Sequence, residues 1–587
     1  RGHRGLSGLV RLAQVWPGWR LQYLCRFSGG LPENPAITRT TKGGLRVTEM
    51  RELIERYTVD KEALDQFYNV PHSTISMDRR QRFTECWLRQ LRQVAFDDLD
   101  VEGRVDYHLL RNHIEETLSR IDLERHRIDQ LSHTLPFLRE LVALEEERRA
   151  MVPASAEELA SRLKAIADAA RGAGEKLEAA GEATDRPPLP QLEQARQATE
   201  AVLPVLKSWH AHYAGYMPEY AWWLREPYKE ARAAIKACGK ALTKAIGGTD
   251  KLIGAPIGRE ALEEAIRRQF IPYGPEDLIA IGERELAWCT ERMLEASHEL
   301  GCGDDWRAAI ELVKQRHCPL GQQHRLVEEL ACEAIRYVDE HELVTIDDLC
   351  RETWYIDMID EKGQKHLPFL GYGGQKILVS YPTDGMGHEA AKMAVRANNE
   401  HMVRAVTHHE LIPGHHLQIY MGERHRAYRR IFHTPFLSEG WCLHWEMLLW
   451  DRGFARGPED RVGMLFWLMH RCARITVSLR FHLGEMTPEQ MIEYLIERVG
   501  HEKGSAISEV RRYIGDGYGP LYQCAYMIGA LQMRALYREM VTDGPMTDRE
   551  FHDRVLREGA IPIEVLRAAI RDDLLGAEFH PQWRFAG

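Results

Sequence analysis

Apolar side chains recur every three or four residues along most of the chain. Between residues 154 and 179, for example, Leu159, Leu163, Ile166 and Ala170 follow this spacing among Ala, Glu and Lys residues. Such steps place side chains on one face of a helix, and Ala, Glu, Leu and Lys all have high helix propensity. The pattern therefore predicts a mainly α-helical protein whose amphipathic helices pack on a common core.

The same spacing predicts helices in other parts of the chain. We expect them over 79–95, 106–120, 122–128, 191–213, 276–300, 306–315 and 323–342. Pro275 suits the first turn of one of these helices, because its missing N–H has no partner there. Pro204 is expected to kink or break another, since proline removes a hydrogen bond from the helix interior.

One stretch, near residues 370–382, departs from the helical spacing. The run from Ile377 to Tyr381 is rich in residues with high β propensity, and Gly371, Gly373 and Gly374 permit a close backbone approach or a bulge. We expect a small β element here. Its strand could line a substrate site and pair by its edge with an extended peptide, and the alternative is an ordinary hairpin.

Composition and charge exclude several classes of protein. The 587 residues are 44% hydrophobic and 28% charged, which is typical of a globular chain. The net charge of −11 argues against a dedicated nucleic-acid binder, and no apolar run reaches the roughly 18 residues of a transmembrane helix. The continuous helical pattern favours one domain over 48–587, with two lobes, about 48–270 and 271–587, as the alternative.

Residues 1–47 differ from the rest of the chain. They contain eight Lys or Arg and one acidic residue, Glu33, and the first methionine of the chain is Met50. A basic, acid-poor start is typical of a targeting segment, but Arg11 interrupts the apolar run that a signal peptide needs. We therefore expect a disordered or mispredicted leader, with a targeting segment as the alternative.

The cysteines indicate a reducing compartment. There are eleven, which are dispersed and form no C-x-x-C pair. An odd, scattered set is typical of reduced thiols in a cytoplasmic protein and not of a disulfide framework. We expect a cytoplasmic location, and for the same reason we do not expect a zinc site built from cysteines.

The candidate chemistry lies in a dense histidine cluster. Four of the 27 histidines lie with one glutamate in a stretch of nine residues, and the five are His408, His409, Glu410, His415 and His416. Catalytic zinc sites typically use two or three histidines and a carboxylate. The alternative is a solvated polar helix face, which the neighbouring apolar residues 411 and 412 disfavour.

The spacing differs from H-E-x-x-H, in which two histidines four residues apart share one helix face. Four residues beyond His409 stands Pro413, and the next histidine, His415, is six residues on. Six steps leave two side chains roughly 240° apart on a regular helix, but Pro413 and Gly414 are expected to distort it. His409 and His415 are the first candidate pair of metal ligands. The alternative to His415 is His416, which returns to the same face about 10.5 Å along the axis.

A third ligand is expected from a segment that follows. In Ser438-Glu439-Gly440-Trp441, Glu439 lies 24 residues beyond His415 and would complete a His₂Glu set. His444 and Glu446 are candidates to orient the ligands by hydrogen bonding. The alternative for Glu439 is a carboxylate that caps a helix. The predicted cofactor is Zn²⁺, because His₂Glu ligation favours zinc.

These residues carry a resemblance to a known family. The run His409-Glu410-x-x-Pro413-Gly414-His415-His416-Leu417-Gln418, followed by Glu439-Gly440-Trp441, is similar to the signature of the bacterial family catalogued as domain of unknown function 885. That family resembles helical zinc metallopeptidases such as thimet oligopeptidase, carboxypeptidase Taq and angiotensin-converting enzyme. The resemblance implies a large helical fold around a deep channel, with Glu439 as the third zinc ligand.

The family also carries a tyrosine-bearing segment near its C-terminus. Tyr526-x-x-Gly529 resembles it, with Met527 where the family has lysine. The resemblance implies that Tyr526 donates a hydrogen bond to the oxyanion formed during hydrolysis, with Tyr518 and Tyr522 as rivals. The alternative is that Tyr522 and Tyr526, four residues apart, form a stripe of core residues.

Motif and resemblance together predict a metal-dependent hydrolase that cleaves amide bonds, with short peptides as substrates. Glu410 would act as general base toward a metal-activated water. One alternative is a hydrolase of a non-peptide amide, and another is a helical binding protein with a vestigial or structural metal site. A serine nucleophile and a nucleotide site are not expected, since the chain contains no G-x-S-x-G, Walker A or dinucleotide motif.

Overall fold

The computed structural model describes residues 47–180, 187–248, 251–364, 367, 369–515 and 517–586. The chain from Arg46 to Gly587 forms one compact unit. The predicted leader over 1–47 lies outside the described residues, apart from Val47, at which the first helix begins.

The protein is mainly α-helical, as the hydrophobic pattern predicts. The first half contains α1 (Val47–Phe67), α2 (Thr74–Leu91), α3 (Val101–Thr134), α4 (Leu138–Arg149), α5 (Ala156–Ala180), α6 (Leu189–Ala214), α7 (Pro218–Ile246), α8 (Arg259–Arg268) and α9 (Pro275–Glu299). The middle contains α10 (Trp306–Lys314), α11 (Gln323–Glu340), α12 (Asp348–Glu352), α13 (Glu361–Gln364) and α14 (His388–Ala397). The last part contains α15 (Glu400–Glu410), α16 (His415–Arg424), α17 (Pro435–Asp451), α18 (Pro458–His482), α19 (Pro488–Val499), α20 (Lys503–Ile514), α21 (Tyr522–Tyr537), α22 (Asp548–Glu558) and α23 (Ile563–Arg571).

Local sequence explains several helix boundaries. Pro275 occupies the first turn of α9, and Asp277 accepts a hydrogen bond from the Gly274 N–H at 3.1 Å. One prediction was wrong in detail. The helices expected over 106–120 and 122–128 are one helix, α3, because Ile121 between them is buried and continues the apolar face. Pro204 lies inside α6, which continues on both sides of it, so the proline does not break the helix and the expected kink stays a prediction.

Two hydrophobic clusters form most of the core. The smaller is built mainly from α4 to α7 and includes Trp209, whose indole donates to the Leu144 carbonyl at 3.1 Å. The larger joins α1, α2 and the start of α3 to the helices from α8 onward. The first helices thus share a core with the C-terminal part of the chain. The boundary between the two hydrophobic clusters therefore does not coincide with the lobe boundary considered at residue 270.

Membrane spans and disulfides are not found in the part of the chain that the structure describes. None of its helices is long and apolar enough to cross a bilayer. The ten cysteines in this part of the chain are all unpaired.

A small sheet follows α12, where the sequence predicts a β element. Its strands are β1 (Tyr355–Met358), β2 (Leu370–Tyr372) and β3 (Lys376–Val379), in the order β1-β3-β2. β1 is parallel to β3, and β2 is antiparallel to it with Gly371 opposite Leu378. The expectation that the strand Ile377–Tyr381 offers a free edge was wrong. It corresponds to β3, which is central because the separate segment β1 occupies its second edge.

The helices α17 and α21 cross with their backbones in contact. A Cβ atom on Gly440 would lie 2.5 Å from the carbonyl carbon of Gly529, and a Cβ on Gly529 would lie 1.9 Å from the Phe436 oxygen. These distances leave no room for a side chain, so both positions require glycine. The crossing places Glu439, the neighbour of Gly440, against the helix that carries Tyr526.

An ion pair joins α15, which carries His409, to α11. The Arg404 guanidinium donates to both carboxylate oxygens of Glu333, at 2.7 and 2.8 Å, and Arg404 is itself buried. Burial acts to raise the pKa of Glu333, but Arg404 and Arg456 outweigh it and lower the pKa to about 2. The ionised carboxylate of Glu333 therefore stabilises the folded protein at every pH at which it keeps its charge.

Gly440→Ala should destabilise the protein, because its methyl group would force α17 and α21 apart. Overpacking of this kind costs about 1–3 kcal/mol. Gly422→Ala is the matched control, since it also lies in a helix but a Cβ added there would meet nothing within 4 Å. That control should stabilise α16 by up to about 1 kcal/mol. Urea denaturation of both variants measures the difference, and equal midpoints would contradict the close crossing.

Glu333→Gln should lower the free energy of unfolding by about 2 kcal/mol at about pH 7, because Arg404 loses a buried charged partner. The folded pKa of Glu333 is depressed, so its contribution is complete above the unfolded value near 4.5 and disappears toward pH 2. The difference from wild type should therefore shrink at about pH 3. Glu55→Gln, at an exposed pair with Arg51, is the control and should cost less than about 1 kcal/mol. A pH-independent effect of Glu333→Gln would refute the assignment.

Candidate metal centre

A turn at Pro413-Gly414 separates α15 from α16. α15 ends at Glu410 and α16 begins at His415. A Cβ on Gly414 would lie 1.8 Å from the His409 carbonyl oxygen, so glycine is needed at this turn. The Trp441 indole donates to the Pro413 carbonyl at 2.8 Å and holds the turn against α17. The predicted break in the helix is confirmed.

This turn brings His409 and His415 together over Glu439. Nε2 of His409 lies 3.4 Å from Oε2 of Glu439, and Nε2 of His415 lies 3.3 Å from the same oxygen. The two imidazole rings are 5.0 Å apart and nearly perpendicular, at 82°. All three residues of the predicted His₂Glu set therefore converge on one point.

His416, the alternative to His415, is directed elsewhere. Its Nδ1 is 3.1 Å from the Tyr372 hydroxyl, and its Nε2 is 3.0 Å from the Cys350 carbonyl oxygen. Both ring nitrogens thus have partners outside the cluster. His416 fastens α16 to the sheet and to α12 and lies away from Glu439.

Glu446 orients His409 from the far side of the ring. Its Oε1 accepts from His409 Nδ1 at 2.7 Å and from the Arg471 guanidinium at 3.1 Å. With Nδ1 engaged, the His409 ring presents Nε2 to Glu439. His444, the other candidate for this role, instead contacts His552, with 3.1 Å between their Nε2 atoms.

The electrostatics of the cluster favour a positive charge between its side chains. Burial acts to lower the pKa of His409, but the carboxylates of Glu439 and Glu446 raise it to about 9. Burial opposes ionisation of Glu439 as well, yet His415 and His409 hold its pKa well below the ordinary value. The carboxylates therefore stay ionised inside the protein and attract a cation.

The donor set fits a zinc ion. Oε2 of Glu439 is buried and has no hydrogen-bond partner, although a buried charged oxygen is costly unless something compensates it. Two ligand atoms about 2.1 Å from one tetrahedral zinc ion lie roughly 3.4 Å apart, which matches the two nitrogen–oxygen distances of 3.4 and 3.3 Å. His409, His415 and Glu439 could hold such an ion.

Glu410, the candidate general base, lies at the end of α15 beside the two histidines. Its side chain is half-buried, and it makes no hydrogen bond within the described part of the chain. Burial is the largest cause that raises the pKa of its carboxyl group, and His409 and His415 act in the opposite direction. A carboxylate with free lone pairs and a raised pKa is suited to accept a proton near neutral pH.

The candidate tyrosines lie on the other side of Glu439. The Tyr522 hydroxyl donates to Oε1 of Glu439 at 2.5 Å. The buried Tyr526 ring lies 6.2 Å from the His409 ring and nearly parallel to it, at 16°. Tyr518 is more exposed and lies beside Tyr522, with 4.5 Å between ring centroids. Tyr526 is a buried core residue, Tyr522 is partly buried against the core, and both border the cluster.

Three residues at the cluster were not predicted. Arg471 fixes Glu446, and the Arg474 guanidinium lies 4.7 Å from the centre of the Tyr526 ring. Both come from α18, which has no motif to indicate them. Cys442 follows Glu439 by one helical turn, and its thiol lies near His409 and His415. Its three-residue spacing from Glu439 is the signal that could have found it.

Tyr522→Phe should destabilise the metal-free protein by about 1–3 kcal/mol, because a buried oxygen of Glu439 would lose its donor. Tyr518→Phe removes the same hydroxyl from a more exposed neighbouring ring and should change stability by less than about 0.5 kcal/mol. Thermal or urea unfolding of the two variants makes the comparison. A Tyr522 variant as stable as wild type would show that this bond does not hold Glu439.

The chain matches one protein family and has the same fold as two solved structures. Residues 66–570 match the family described as "Bacterial protein of unknown function (DUF885)". A solved structure titled "a putative lipoprotein of unknown function from Shewanella oneidensis" is 17% identical, has a TM-score of 0.66, and aligns over 89% of this chain and 99% of its own. A "putative lipoprotein from Colwellia psychrerythraea" is 16% identical, with a TM-score of 0.58, over 90% and 99% of the two chains.

The comparison with proteins of curated function gave no match. At 16% and 17% identity the two structural similarities establish a shared fold and carry no activity. The family match, in contrast, spans most of the sequence, including the histidine motif and the tyrosine segment. On that ground, the chain belongs to the DUF885 family of bacterial proteins.

Proposed function

We propose that the protein is a zinc-dependent metallopeptidase that hydrolyses amide bonds in short peptides. His409, His415 and Glu439 would hold the metal, and Glu410 would be the general base. One observation carries the proposal: a buried, unpartnered carboxylate oxygen lies 3.4 and 3.3 Å from two imidazole nitrogens. These are the separations expected of atoms that share one zinc ion.

The surroundings favour a catalytic centre over a purely structural one. Glu410 lies next to the first histidine and makes no hydrogen bond to the described residues, so its carboxylate is available to a water molecule. Structural zinc sites do not need a base beside them, whereas hydrolytic sites do. The raised pKa of Glu410 brings its carboxyl group closer to the pH at which a base is most effective.

When bound, zinc polarises the amide carbonyl and makes a water molecule acidic enough to lose its proton near neutral pH. Glu410 accepts that proton and delivers it to the leaving amine. Tyr526 donates a hydrogen bond to the carbonyl oxygen as negative charge develops on it, and burial raises its pKa, so the hydroxyl keeps its proton. Its rival Tyr522 already donates to Glu439.

The small sheet favours an extended peptide as the substrate. β3 is paired on both sides, so a peptide would add to an outer strand. β2 is the outer strand that carries Tyr372, whose ring lies 6.3 Å from that of His415. A peptide backbone docked along β2 would pass beside the proposed metal ligands. A compact non-peptide amide has no extended backbone and would not use this strand pairing.

Glu410→Gln should leave metal binding intact and lower kcat for short peptides by about 10²–10⁴, because the base is lost while the ligands remain. Glu423→Gln, an exposed glutamate on α16, is the matched control and should keep wild-type activity. The measurements are zinc content by elemental analysis and initial rates on a mixture of short peptides. Normal turnover by Glu410→Gln would reject its role as base. No activity in zinc-loaded wild type on any peptide, with activity on small amides, would favour the non-peptide alternative.

A further inference from the structure

The face of α17 that packs against His409 and His415 carries a cysteine thiol as well as carboxylates. Glu439, Cys442 and Glu446 follow one another at steps of three and four residues, so they form one stripe on this helix. All three side chains are buried. Glu439 contacts both histidines and Glu446 contacts His409, which leaves Cys442 between two residues that already serve the cluster.

The Cys442 thiol lies close to the point on which the imidazoles converge. Its Sγ and one ring nitrogen from each of His409 and His415 are all within 4.8 Å of one another. A thiolate sulfur about 2.3 Å from zinc lies roughly 3.6 Å from an imidazole nitrogen bound to the same ion. The difference of about 1 Å is within reach of a small rotation of the short cysteine side chain.

Burial alone does not explain this position. A buried free cysteine ordinarily behaves as a small apolar residue packed among other apolar residues. Cys442 instead lies within reach of the imidazoles of His409 and His415. Among the described cysteines, it is the one that forms such a group. Two nitrogens and a sulfur thus lie around one small volume, and the same two histidines also contact Glu439.

We propose that Cys442 is a further protein ligand of the metal, so that the centre is built from His409, His415, Glu439 and Cys442. This inference rests on the proposed metal site and adds the identity of its fourth donor. A thiolate is a soft ligand, which favours zinc or cobalt over manganese and magnesium. Zinc can expand to five ligands during a reaction, so a thiolate ligand is compatible with hydrolysis by water.

Cobalt substitution tests the inference, because a cobalt–thiolate bond gives a strong charge-transfer band in the near ultraviolet and nitrogen or oxygen ligands do not. Metal-free full-length protein titrated with Co²⁺ should show this band together with the visible bands of a tetrahedral ion. Cys442→Ala should lose the near-ultraviolet band and still bind cobalt. Cys442→Ser keeps the size of the side chain and guards against misfolding. Cys524→Ala, which removes an equally buried thiol elsewhere, should retain the band.

Zinc affinity gives a second measurement that does not depend on activity. Changes to residues that only orient ligands weaken metal binding by roughly 10–100-fold, so the loss of a ligand should weaken it by at least about tenfold. Competition with a chromophoric chelator would measure the change in Cys442→Ala against Cys524→Ala.

The outcomes separate the two claims. Cobalt bound without a sulfur band, and with the same affinity in Cys442→Ala as in wild type, would overturn the role of Cys442 and leave the His₂Glu proposal standing. No binding of cobalt or zinc by the wild-type protein would overturn both. A band that disappears in both Cys442 variants and persists in Cys524→Ala would support the four-ligand centre.

Discussion

The buried carboxylate of Glu439 is the group on which the arrangement of the centre depends. A charged oxygen in the protein interior is costly unless other groups compensate it. One oxygen accepts a hydrogen bond from the Tyr522 hydroxyl, and the other lies near His409 and His415 without a hydrogen bond. The close crossing at Gly440 and the turn at Pro413-Gly414 both bring these partners to the carboxylate. The proposed metal would supply the compensation that the described residues do not complete.

Features that depend on neighbours in the sequence could be predicted from the chain alone. The helices follow from the spacing of apolar residues, and the break between His409 and His415 follows from proline and glycine. The family motif indicated His409, His415 and Glu439 as a set, and the structure brings these side chains together.

Features that depend on distant segments could not be predicted in the same way. β propensity located β3 but could not show that β1 would pair with its other edge. Arg471 on α18 donates a hydrogen bond to Glu446 on α17, and no motif in the sequence around Arg471 indicates that contact. Cys442 could not be predicted as a ligand, because a single cysteine in an apolar helix has the pattern of a core residue. Its significance appears only when the histidines of another helix pair are placed beside it.

The most direct measurement is anomalous diffraction at the zinc absorption edge from crystals of the purified protein. We expect one strong anomalous peak per chain, about 2.1 Å from Nε2 of His409 and of His415 and from a carboxylate oxygen of Glu439. The contrary result is a crystal grown with excess zinc that shows no anomalous peak at these three side chains, or shows the peak beside other residues. Either finding would mean that this cluster is a buried polar network and not a metal centre.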